Sequence, residues 1–226
     1  MGAIWTPLLL SLKVAGWATA INFVLGVATA YALSRWRSPL RDLIDSILTL
    51  PLVLPPTVLG YYLLVLLGKR GLIGSWLSAL GIELVFTWQG AVIASTIVAF
   101  PLVLKASRSA FEQVDMQLEN AARVLGVSEA GVFFRISLPL ATRGISAGVL
   151  LAFARALGEF GATLMIAGNL PGRTQTLSVA IYEAVQAGDD NTATLMVVIT
   201  SITCVALLLI AGRLVPGQSP RKKDLL

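Results

Sequence analysis

Apolar residues dominate five stretches of this chain, at 8–33, 43–67, 90–104, 145–167 and 193–214. A helix that crosses a bilayer needs about 20 predominantly apolar residues, and these stretches are read as five membrane spans. The third is short, but Trp88 and Lys105 carry it to both interfaces. A sixth stretch, 174–187, stays apolar for about 14 residues, a length that favours a re-entrant or surface helix. The predicted fold is an all-α integral membrane bundle of five spans, six if that stretch crosses, forming one domain over 1–226 with no linker or repeat.

Prolines and charges punctuate the spans. Leu50-Pro51-Leu52-Val53-Leu54-Pro55-Pro56-Thr57 places three prolines inside the second. Pro55 and Pro56 remove two backbone donors and crowd the preceding turn. In lipid such a break survives where protein or a water-filled path satisfies the freed carbonyls. Two readings stand: a packing kink, or a break that lines a translocation path. Pro101 in the third span invites the same pair. Lys13, Asp45, Arg155 and Glu159 are charges within spans.

Lysine and arginine in short loops orient a membrane protein. Arg35, Arg37 and Arg41 follow the first span, Lys105, Arg108, Arg123, Arg135 and Arg143 lie between the third and fourth, and Arg213, Arg221, Lys222 and Lys223 follow the fifth. The intervening loops hold Lys69 and Arg70, and a single Arg173 set against Glu183, Asp189 and Asp190. This places the N-terminus outside and the C-terminus in the cytoplasm. A sixth span would export the basic tail. The start of the chain has no basic n-region and too long an apolar run for a cleaved signal peptide, and the myristoylation pattern at Gly2 adds nothing to several spans.

Composition agrees: 56% of the 226 residues are hydrophobic and 13% charged, against about 45–50% and 25% in soluble domains. The net charge of +5 sits in segments flanking the apolar runs, so nucleic acid is not a partner. There is no histidine, and the single cysteine, Cys204, lies in an apolar stretch where its thiol is expected to be buried and inert. Most zinc sites and the commonest general base are therefore missing, and no carboxylate pair lies within one span. A membrane enzyme is disfavoured. A secondary transporter or channel would be expected to show inverted repeats, which the chain lacks.

The segment 112–139 is long for a loop in so short a membrane protein. It reads as two short helices. Leu118, Ala121, Ala122 and Leu125 fall on one face of the first, flanked by Glu119 and Arg123. Gly126 is expected to end that helix in left-handed backbone. Ser128 caps a second helix carrying Phe133, Phe134 and Ile136 and stopping before Pro139. A small-residue apolar face of this kind suits a partner's groove.

The run Glu119-Asn120-Ala121-Ala122-Arg123-Val124-Leu125-Gly126, followed by Phe134-Arg135-Ile136-Ser137-Leu138-Pro139, resembles the Glu-Ala-Ala loop of bacterial ABC importer permeases. Ala121, Ala122, Gly126, Ile136, Leu138 and Pro139 match it; Asn120 stands where the family usually has glutamate, and Glu119 is one residue earlier. The segments 50–61, 154–163 and 168–177 look like those of molybdate permeases, with variants in tungstate and sulfate permeases. The resemblance implies a homodimer of permease subunits working by alternating access, two ABC ATPase subunits docked on 112–139, and a periplasmic molybdate-binding protein, in a bacterial inner membrane. The chain has no phosphate-binding loop, so ATP and magnesium belong to the ATPase subunits and no cofactor is expected here. The coupling residues implied are Glu119, Ala121, Ala122, Leu125, Gly126, Ile136, Leu138 and Pro139.

Arg155 and Glu159 are four apart and can pair on one helix face. An unpaired charge at mid-membrane costs several kcal/mol. Either the two form a self-neutralised structural pair, or Arg155 meets an oxyanion in the path, where Glu159 would repel a dianion.

Overall fold

The computed structural model describes residues 2–214, with side chains from Trp5 to Leu209. The described residues form helices joined by short turns. The first apolar stretch becomes α1, Gly2–Arg35. The third becomes α5, Trp88–Glu112, which starts at the interfacial tryptophan because Thr87 accepts the Gly90 N–H at 3.2 Å. The fifth becomes α11, Asp190–Leu214, whose first turn is capped by Asp189 accepting the Thr192 N–H at 3.1 Å. Residues 177–186 of the sixth stretch form α10, Leu177–Gln186, about 15 Å long and too short to cross. The basic tail used for orientation, from Arg213 onward, lies outside the described side chains.

Two expected spans are not continuous helices. The second divides into α2, Leu40–Val53, and α3, Pro56–Leu67, whose axes are bent by 111°. The fourth divides into α8, Leu138–Leu157, and α9, Gly161–Ala167, with Gly158, Glu159 and Phe160 between them. Hydropathy alone joins each pair. In the second, proline lacks the donors a helix requires. In the fourth, the Glu159 carboxylate accepts the Ala162 N–H at 2.8 Å and so starts a new helix. A third short helix, α4, Leu72–Ala79, precedes α5. Among the described residues, four helices are long and apolar enough to cross a membrane, five if α2 and α3 are taken as one bent span.

Helix α5 is the centre, packed between α1 and α8, and its close contacts rest on small residues. Gly148 of α8 leaves no room for a side chain: a Cβ there would lie 2.6 Å from Ala106 Cβ. Ala99, Ala152 and Ala156 are buried in the same cluster. Such residues let backbones approach where no hydrophobic effect drives association. Polar atoms add direction. Asn22, fully buried in α1, donates from Nδ2 to the Thr96 carbonyl of α5 at 3.1 Å. Lys13 sits 3.6 Å above the Trp88 ring, a cation–π contact that accounts for the lone charge of the first span. Asp45 is held by Lys105 and, at 2.7 Å, by Arg108. Helix α5 runs through Pro101 unbroken, the packing outcome for that proline. Cys204 is half-buried against the same core rather than enclosed in it.

Candidate functional site

The segment 112–139 folds back on the Arg35 end of the bundle. Its first helix, α6, Met116–Val124, is capped by Asp115, which accepts the Gln117 N–H at 2.8 Å. The face expected from the sequence is divided. Ala122 turns inward and is 7% exposed. Ala121 and Leu118 remain exposed, with Leu125 at 83% and Val124 at 88%. At 100° per residue the four share one stripe, and Ala122 lies at its edge beside Glu119, so Ala122 is the one that packs on the bundle. Gly126 has φ +81°. Its N–H reaches the Arg123 carbonyl at 2.9 Å and that of Val127 reaches Ala122 at 3.0 Å, a Schellman closure that requires left-handed backbone.

Glu119 is fully buried. Its Oε1 pairs with Arg35 Nη2 and accepts the Ser137 hydroxyl at 2.7 Å, while Arg123 Nη2 lies 3.6 Å from Oε2. It therefore faces the bundle rather than flanking an open surface. Asn120, at the family's glutamate position, is exposed and accepts from Arg123 Nη1 at 2.9 Å. Arg123 also bonds Glu129 at 2.7 Å, and that bond chiefly holds its guanidinium above the usual arginine range. Tyr31, Phe111 and Phe133 stack edge-on beneath the loop, with Tyr31 to Phe133 centroids 4.7 Å apart.

The second loop helix does not stop before Pro139. Ser128 caps α7, Glu129–Val132, as expected, accepting the Gly131 N–H at 3.2 Å. The chain then passes through a π turn, Phe133–Ser137, directly into α8. The Leu138 N–H reaches back to Phe133. This wider turn accommodates Pro139, which has no N–H and whose ring would strike the Arg135 carbonyl in an α turn. Ile136 and Leu138 are half-buried and Pro139 is exposed.

The two helix breaks lie against each other. Gly161, the first residue of α9, would place a Cβ 3.1 Å from Pro56 Cβ and 3.3 Å from the Thr57 backbone. One turn on, a Cβ on Gly60 would lie 2.9 Å from Ala162 Cα. Arg155 and Glu159 do pair, Nη1 to Oε2 at 2.7 Å, but across the end of α8 rather than along one helix face.

A family model for the inner membrane component of binding-protein-dependent transport systems matches residues 22–224. The chain belongs to this family. The permease is 46% identical over 208 residues to the molybdenum transport system permease protein ModB of Escherichia coli K12, covering 91% of each chain. It is 44% identical over 190 residues, 84% of each chain, to the putative molybdenum transport permease YvgM of Bacillus subtilis. Its fold matches the inward-facing MetNI methionine ABC transporter with a TM-score of 0.76, covering 95% of both chains at 16% identity. The permease is thus a multi-pass membrane protein with the fold of this importer class.

Of the residues singled out in the sequence, the structure gathers Glu119 and Ala122 on the inner face of the loop and Ala121 and Leu125 on the outer. It brings Pro56 against Gly161, two residues past Glu159. Sequence reasoning missed Arg35, Ser137 and Tyr31. Arg35 reads as one of three orientation charges, and nothing in its neighbourhood separates it from Arg37. One signal was available: Tyr31 and Arg35 are four apart on α1 and mark a face with an aromatic and a cation together.

Proposed function

We propose that the permease is the membrane subunit of an ATP-driven importer for molybdate. The observation that carries this reading is the 46% identity to the Escherichia coli molybdenum permease over 91% of both chains, supported by the resemblance at 50–61, 154–163 and 168–177. A periplasmic binding protein delivers the oxyanion, two permease subunits enclose the path, and two ABC ATPase subunits supply ATP and magnesium. The outer residues of 112–139, Leu118, Ala121, Val124, Leu125 and Phe134, offer an apolar surface to the ATPase subunit. Glu119, Ala122, Ile136 and Leu138 hold that surface on the bundle, and Gly126 and Pro139 shape it. The two helix breaks line the path.

The reading is tested on the assembled transporter with its binding protein. Molybdate is expected to stimulate ATP hydrolysis and drive uptake, and sulfate much less. Stimulation by sulfate or tungstate alone would assign a different oxyanion, and uptake without ATP would exclude the importer. Orientation is tested separately. A phosphatase fused after Lys69 should be active and one at Leu226 silent; activity at Leu226 would reverse the C-terminus.

Gly126→Val isolates the loop's shape. A Cβ at Gly126 meets nothing within 4 Å, so the cost is that of left-handed backbone, about 1–2 kcal/mol. ATPase-subunit binding should weaken about tenfold, equivalent to ~1.4 kcal/mol. Gly126→Asn should lose less, because asparagine tolerates this conformation. Titrated pull-down in detergent gives the measurement, and equal binding by all three forms would remove the loop from the docking surface.

A further inference from the structure

The charge pair at the end of α8 is asymmetric. Glu159 is 2% exposed. Its Oε1 accepts the Ala162 N–H at 2.8 Å and its Oε2 lies 2.7 Å from Arg155 Nη1. The negative charge is turned inward, between a guanidinium and a backbone amide. Arg155 keeps 34% of its side chain exposed, on a flank where Leu151, Ala154 and Gly158 are also exposed. Among the described residues Glu159 is its one ionic partner, so most of its five-donor fork is uncommitted.

Depth makes this exposure informative. Gly148 lies against Ala106, and counting along the antiparallel helices puts Arg155 level with roughly Ala99, near the middle of α5. An arginine at mid-membrane faces a bundle interior or a water-filled cavity, not hydrocarbon. The other broken span reaches the same neighbourhood. Gly161, two residues past Glu159, packs on Pro56 and Thr57, and Pro55 and Thr57 are exposed. Non-helical backbone at this depth is likewise confined to protein or to a cavity wall.

We propose that Arg155 is an anion contact of the translocation path, receiving a tetrahedral oxyanion dianion on the guanidinium edge turned away from Glu159. Glu159 positions the guanidinium. Its repulsion of the dianion is weakened, because the α9 amide and Arg155 itself offset its charge on the buried side. This rests on the importer reading above and adds to it the residue that meets the cargo.

The test compares wild type with Glu159→Gln, Arg155→Lys and the double variant Arg155→Gln/Glu159→Gln, each assembled with ATPase subunit and binding protein in proteoliposomes. In the double variant the carboxamide introduced at position 159 still accepts the Ala162 N–H, and the two new carboxamides can bond each other, so a purely structural pair is preserved. Molybdate uptake by the double variant should fall about 30-fold or more, as for a lost hydrogen-bonded charge contact, with ATPase-subunit binding and basal ATP hydrolysis unchanged. Glu159→Gln, which keeps the cation, should stay within about threefold of wild type, a loss of at most ~0.65 kcal/mol. Arg155→Lys keeps charge but not the fork, and should raise the apparent KM for oxyanion at unaltered maximal rate. Wild-type uptake by the double variant, or equal loss in Glu159→Gln and the double variant, overturns the proposal. If the double variant fails to assemble, Arg155→Lys decides, and an unchanged KM overturns it. A wild-type transporter that moves no oxyanion sinks the importer reading itself.

Discussion

In a Glu119→Ala variant, ATP-driven uptake is expected to fall by about 100-fold or more while the membrane helices remain folded. The carboxylate removed is fully buried and is the anchor for Arg35, Ser137 and Arg123. Breaking a buried pair from one side costs about 3–5 kcal/mol, because the surviving charge is left without a partner. Here that survivor is Arg35, 19% exposed. The loss falls on the junction between 112–139 and α1, so the loop should loosen before the bundle does. Glu119→Gln keeps an acceptor for Arg35 and the serine hydroxyl, and should lose less. Asn120→Ala, at the motif position proper, should be close to silent, since Asn120 is exposed and bonds only Arg123 among the described residues. Pull-down of the ATPase subunit and substrate-stimulated hydrolysis give the comparison. Full coupling in Glu119→Ala would show that the loop needs no anchor at this point.

The second large effect is expected from Pro55→Leu/Pro56→Leu. Each proline in a helix interior costs about 3 kcal/mol, and replacing both returns the donors that α2 and α3 need to join. The 111° bend should then open, drawing position 56 and Thr57 off Gly161 and separating the two breaks. Uptake should fall more than about tenfold, consistent with loss of at least ~1.4 kcal/mol of path geometry. The ATPase subunit should still be captured, because 112–139 packs on the Arg35 end of the bundle. Normal uptake by a well-assembled double variant would make the bend a packing feature alone.

The bundle was largely legible from residue order, because apolar length is a one-dimensional property. Trp88 marks the start of α5, Gly126 closes α6 in the expected backbone, and 174–187 proved too short to cross. The features that escaped depend on distant partners or on competition between local rules. Glu119 reads as a flank of an exposed face until Arg35, 84 residues away, turns it inward and takes Ala122 with it. Glu159 sits four after Arg155, which suggests a continuous helix; that it caps a new one depends on a backbone turn no spacing encodes. Pro139 ordinarily ends a helix, and the π turn before it resolves the conflict by geometry rather than by composition.

That resolution has a mechanical consequence. Because Pro139 does not interrupt the chain, Glu129–Leu157 is one helix of 29 residues, about 43 Å long. Its one end belongs to the loop and its other carries Arg155. A continuous helix of this length converts rotation into travel: a tilt of about 5° at the loop end sweeps Arg155 through roughly 3 Å, by the same helical rise. A conventional proline stop would have put a joint in the helix and dissipated that displacement in a hinge. The wide turn at Phe133–Ser137 keeps leverage intact from one end of the molecule to the middle of the bundle.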